Sequence, residues 1–271
     1  MSIRRFLPDV NRINVLIATI LLAYALTRVI NTPDYIFSFQ LANIDLAFSL
    51  NVNMAISILA GGLAATGVDW LLRGHPSIQP GETVEHWLLP TLLALVIGIA
   101  LYALPAGYYW WIGLGMSAIL LVVVFRSEYA AVDPGDTNYP LATAALIALS
   151  YTLVLILAVA LRSTGVRIVL LAPALFITTG LVSLRALHLR LNERWEFGWA
   201  LGIALIVTQL GSALHYWPIT PVQFGLAVLG PVYALTNLAV SLIEGTRFRQ
   251  AVIEPAIILG FLWGLAFFVH G

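Results

Sequence analysis

Two short polar segments stand out from the long apolar runs of this chain. The first is Asp69-Trp70-Leu71-Leu72-Arg73-Gly74-His75-Pro76; the second is Glu82-Thr83-Val84-Glu85-His86-Trp87. Histidines and carboxylates at this density could bind a divalent cation or pass protons as general acid and base. Glu82 and His86 are four apart and would share one helical face. No His-Glu-x-x-His or other established ligand spacing is present, so no metal is assigned. Asp69 and Arg73 are also four apart and can pair across one helical turn. Gly74 and Pro76 would stop that helix, and Pro80-Gly81 would restart the chain.

Two further polar patches lie downstream. Arg126-Ser127-Glu128-Tyr129 precedes Asp133-Pro134-Gly135-Asp136, and Arg185, His188, Arg190, Asn192, Glu193, Arg194 and Glu196 form the third. As an enzyme, the chain would use His75, Glu85, His86, Glu128 and Asp133 as acid and base groups. Arg73, Arg126, Arg185 and Arg190 would hold lipid phosphate. The competing reading is ordinary helix-end chemistry, in which arginine and carboxylate form solvated pairs of small worth. No cofactor is indicated.

What must position these groups follows from composition. Hydrophobic residues make up 61% of the 271 and charged residues only 10%, with a mean hydropathy of +0.95. Soluble domains carry about 25% charged residues, so the main solvent of this chain is lipid. A bilayer needs about 20 apolar residues per helix, and nine spans satisfy it: 13–30, 50–72, 85–104, 107–125, 140–161, 166–187, 197–215, 220–243 and 251–269. A count of eight or ten follows if the last span or the joint near Gly107 is read differently. The first run continues past Ala23-Tyr24-Ala25 to Ile30 and has Asp9 in its flank, so it reads as a membrane helix rather than a cleaved signal. Leu104-Pro105-Ala106-Gly107 is a tight turn, and Tyr108, Tyr109, Trp110 and Trp111 after it read as an interfacial aromatic belt. Residues 36–50 alternate apolar and polar around Ala42-Asn43, which predicts a short β-hairpin. The expectation is an all-α polytopic bundle, one integral membrane domain over 1–271.

The charges orient it. There is no lysine. Arg4, Arg5, Arg12, Arg73, Arg126, Arg185, Arg190, Arg194, Arg247 and Arg249 fall on one side; Arg28, Arg162 and Arg167 fall on the other. The positive-inside rule makes the first side cytoplasmic, with the N-terminus inside and the C-terminus outside. All three polar patches share that side, and of the acidic residues only Asp34 and Asp45 lie opposite.

Several chemistries drop out. Without cysteine there is no thiol nucleophile or thiolate site, and without lysine no Schiff base. Net charge is zero with no basic stripe, so nucleic acid is not a partner. Paired aspartate motifs, a Gly-x-Ser-x-Gly elbow and a Walker loop are all absent from the sequence. His215 and His270 are isolated. The mid-depth polar residues are neutral, and Gln209 and Asn237 are placed to hydrogen-bond between neighbouring spans.

Gly67-Val68-Asp69-Trp70-Leu71-Leu72-Arg73-Gly74-His75-Pro76, Glu85-His86-Trp87-Leu88-Leu89-Pro90 and Glu128-Tyr129 before Asp133-Pro134 together resemble a family of uncharacterised bacterial multi-pass membrane proteins of Chloroflexi type. The resemblance implies a bacterial cytoplasmic membrane and about nine helices, and attaches no activity and no catalytic residue. Three function classes follow. A non-catalytic accessory or scaffold subunit with a protein partner in the membrane leads. A membrane enzyme on a lipid or lipid-linked substrate and a transporter of neutral or lipidic cargo are the alternatives. Membrane lipids are partners in all three.

The orientation is directly testable. An alkaline phosphatase fusion after Gly271 should be active outside the cytoplasm, and one after Arg190 inactive; the reverse pattern would invert the topology.

Overall fold

The computed structural model describes residues 8–28, 30, 35–41, 44–50, 52–78, 83–191 and 194–268. Its helices are α1 (Val10–Leu26), α2 (Val52–Leu72), α3 (Leu88–Ala103), α4 (Tyr108–Ala130), α5 (Tyr139–Ser163), α6 (Ile168–Arg190), α7 (Phe197–His215), α8 (Pro221–Ile243), α9 (Phe248–Ala251) and α10 (Ile253–Phe268). A 3-10 turn, Val84–Trp87, leads into α3, and α9 into α10. Among the described residues eight helical segments are long and apolar enough to cross a membrane; α1, with 17 residues, is shorter. Strands β1 (Tyr35–Leu41) and β2 (Ile44–Leu50) pair antiparallel, with Phe37 opposite Phe48 and Leu41 opposite Ile44.

The chain packs as two compact units, one ending at Asp133 and the other starting at Pro134. In the first, α1 packs on α2 and α4, and α2 on α3. Lipid gives helices no hydrophobic reason to associate, so close fit must supply the attraction. The buried face of α2 carries Ala60, Gly61, Ala64 and Gly67. A Cβ at Gly67 would lie 2.5 Å from Leu16 Cδ2, so a larger residue there would force the Leu16 side chain to shift. The α3–α4 joint turns at Gly107, whose φ of 123° is a left-handed value that other residues rarely adopt.

In the second unit α6 packs on α7, α8 on α10, and α5 on both α6 and α8. The α8 start is written locally: Thr220 and Gln223 form a reciprocal capping box around Pro221. Arg162 ties the unit at one end. Its Nη1 donates to the His215 carbonyl at 2.7 Å and its Nη2 to that of Trp217 at 2.9 Å. The His215 carbonyl is the last of α7, where peptide oxygens lack intrahelical partners, and that of Trp217 lies in the turn just after it; a guanidinium there also meets the negative end of the helix dipole.

Two helices run past their predicted ends. α4 continues to Ala130, which takes Arg126, Ser127, Glu128 and Tyr129 into the helix. α6 continues to Arg190, which takes His188 and Arg190 with it. Both extensions are polar, yet Ser127, Glu128, Tyr129 and His188 are buried, so apolar run length alone understates them. Of the four aromatics after Gly107, Tyr108, Tyr109 and Trp111 are exposed as a belt requires, whereas Trp110 is buried.

Arg162→Met should uncover carbonyls at the end of α7 and lower stability by about 2 kcal/mol, on the scale of lost charge-assisted hydrogen bonds. It is read as a lower unfolding temperature in detergent; an unchanged value would remove this role.

Candidate functional site

The polar patches of the first unit meet at one end of it, where α2 stops, α3 begins and α4 stops. The contacts grow from the 3-10 turn. The His86 backbone N–H donates to the Thr83 carbonyl at 3.1 Å, which aims the imidazole inward toward α4. There His86 Nδ1 lies 2.6 Å from Glu128 Oε2. Glu85 Oε1 lies 3.6 Å from the other ring nitrogen, beyond hydrogen-bond range. His86 is 5% exposed and Glu128 0%, while Glu85 is half-buried. The tautomer with its proton on Nδ1 donates to Glu128. A carboxylate that fixes one nitrogen of a histidine is the arrangement that orients a catalytic base. It is equally a strong buried tie between two helices.

Asp69 makes a second knot. Its Oδ2 accepts from Arg73 Nε at 2.8 Å, with Arg73 Nη2 at 2.6 Å, and its Oδ1 accepts from Thr83 Oγ1 at 2.6 Å. One carboxylate thus joins the end of α2 to the turn that opens α3. Arg12 adds α1: its Nη1 donates to the Trp70 carbonyl at 3.2 Å, and its guanidinium lies over the Trp70 ring at 4.9 Å.

His75 sits beside this, 4% exposed, with its ring edge-on to Tyr129 at 4.7 Å. Its Nδ1 accepts from the Ser77 backbone N–H at 3.2 Å, and Ser77 Oγ donates to Asp133 Oδ2 at 3.3 Å. The five candidate acid and base residues therefore lie within one unit. His86 meets Glu128, and His75 is linked to Asp133 through Ser77.

The four candidate phosphate-holding arginines do not share one environment. Arg73 is committed to Asp69, and Arg126 is exposed. Arg185 is 1% exposed inside the second unit, and Arg190 donates to Asn237 Oδ1. His188 stacks on Trp195 at 4.1 Å. The predicted bond between Gln209 and Asn237 does not form. Asn237 takes Arg190 and the Tyr233 carbonyl as partners, and Gln209 is exposed. Thr236 bonds Ser183 and the Val232 carbonyl. Glu82, Asn192, Glu193 and His270 lie outside the described residues.

Sequence reasoning missed Thr83, Ser77 and Tyr129 as members of the network. Thr83 is readable in hindsight as a hydroxyl just before the 3-10 turn; Ser77 and Tyr129 depend on which helix ends meet. No group of three or more His, Asp or Glu suited to a metal occurs among the described residues.

Residues 32–269 match the family described as "Protein of unknown function (DUF5656)". The chain belongs to that family. No curated protein and no solved structure matches it. A polytopic helical membrane protein of an uncharacterised family is therefore what this chain is. The match takes in the whole polar network apart from Arg12; α1 precedes it.

Thr83→Val should destabilise this end by about 1 kcal/mol, because it removes a hydroxyl donor from a carboxylate. Arg73→Ala should cost less, since its side chain is mostly exposed and solvent screens the pair. Thermal unfolding of the two variants side by side checks the order.

Proposed function

We propose that this chain is a non-catalytic accessory or scaffold subunit of a bacterial cytoplasmic membrane, with its N-terminus inside. The observation that supports the reading is burial of the polar network. His75, His86 and Glu128 are each at most 5% exposed, and the bonds named above run to other protein groups. A catalytic base has to be within hydrogen-bond reach of a substrate proton, and these groups face helices instead. Their role in this reading is to lock α2, α3 and α4 at one end and present a rigid body to a partner.

The test has two arms. His86→Ala and Glu128→Ala should each lower stability by about 3 kcal/mol, since each strands a buried polar partner. The double variant should cost less than the sum of the two, which a double-mutant cycle reads as coupling. Purification in mild detergent from the native membrane should also yield a stoichiometric membrane protein partner. Recovery of the chain without one would overturn the reading.

A second reading, an enzyme acting on a lipid or lipid-linked substrate, draws support from the 2.6 Å His86–Glu128 contact and from Glu85 facing the other ring nitrogen. In it His86 is the base, Glu128 orients it, and Glu85, His75 and Asp133 complete the polar shell. It requires Glu128→Gln to abolish turnover of a membrane lipid while the fold persists.

A further inference from the structure

The first unit holds a cavity at its other end, where α1 stops, α2 begins, α3 stops and α4 begins. It measures about 150 Å³, and its lining includes Tyr24, Arg28, Asn53, Ser57, Tyr102 and Trp110. The floor is built from groups that are already satisfied. Ser57 Oγ donates to the Asn53 carbonyl at 2.6 Å, and the Tyr24 hydroxyl donates to the Ala94 carbonyl. Gly98 makes that floor possible, because a Cβ there would fall 2.0 Å from Ser57 Oγ.

The upper wall has a different chemistry. Arg28 lies over the buried Trp110 ring at 4.9 Å, and its Nη2 is 3.5 Å from the Leu104 carbonyl, a long contact that leaves most of its donors available. An arginine that merely reaches for water would extend away from the protein. This one is drawn back over an aromatic face at the rim of a cavity. Asn53 adds an amide and Tyr102 a phenol, and among the described residues the lining holds no carboxylate. The start of α2, a 21-residue helix, adds the positive end of its dipole. A cation beside neutral donors makes a cup suited to an anion. A guanidinium fork matches tetrahedral oxyanions in particular.

We propose that this cavity binds a phosphate group, carried by a phospholipid headgroup or as the free ion. Arg28 supplies the charge, Asn53 and Tyr102 supply further donors, and Trp110 holds the guanidinium in place. The site is separate from the His86–Glu128 network and does not depend on how that network is read.

Ligand-induced shifts in unfolding temperature of the full chain in dodecyl maltoside provide the test. The probes are inorganic phosphate, dihexanoyl phosphatidylglycerol and dihexanoyl phosphatidylcholine. At least one should raise the unfolding temperature saturably. Arg28→Gln should weaken that probe's apparent Kd by about tenfold or more, the scale of one lost charge-assisted contact. Arg28→Lys should recover part of the affinity. Asn53→Ala should weaken binding by a smaller factor and carries the test if Arg28→Gln does not fold. A response to inorganic phosphate identifies the free ion as sufficient; a response to the short-chain lipids alone identifies a headgroup site. No saturable shift with any probe, or equal Kd values in wild type and in Arg28→Gln and Asn53→Ala, overturns the proposal.

Discussion

A bilayer core offers no hydrogen-bond partner, so every polar group placed there must find one inside the protein. The helices follow from that rule, and so does the treatment of their side chains. Hydroxyls along the spans bond back to carbonyls of their own helix: Ser150 to Leu146, Thr152 to Ala148, Thr179 to Leu175 and Thr236 to Val232. The same demand explains Arg162, whose guanidinium bonds carbonyls at and just after the end of α7. It explains Arg190 and Asn237 as well. Two polar side chains on neighbouring helices satisfy each other where lipid would satisfy neither.

At the end of the first unit the rule is met by a network rather than by single bonds. Asp69 gathers donors from Arg73 and Thr83, His86 meets Glu128, and Ser77 links His75 to Asp133. Each helix end contributes groups that its own turn cannot satisfy, and neighbouring ends complete them. Burying a histidine against a glutamate is costly in desolvation, so the pair adds little net stability over an apolar match. Removing one partner is expensive. Such a pair specifies which helix ends meet. The opposite end of the unit is built otherwise, with satisfied groups below and a cation on an aromatic ring above.

The positions of the spans were legible because apolar run length and turn residues are local properties. The starts of α2, α3, α4, α7 and α8 lie within a few residues of the predicted ones. The ends of α4 and α6 were less legible, since their last turns are polar and gain their burial from packing. His75, Glu85, His86, Glu128 and Asp133 were legible as a set, because lipid leaves few places for charge. Their pairing was not. Trp110 shows the same limit: four consecutive aromatics read as a belt, and only packing tells the buried one from its three exposed neighbours.

By itself the sequence determined that this chain lives in lipid and where its long apolar helices lie. The same local counting gave which gaps collect charge, because hydropathy and charge act over a few residues. Tertiary structure alone decided which polar groups meet and which arginines are buried. It also decided that a donor-lined cavity opens beside Arg28. Those outcomes depend on which helices lie side by side and at what height. Helix order in a bundle is set by shape matching between apolar surfaces that, residue by residue, look alike.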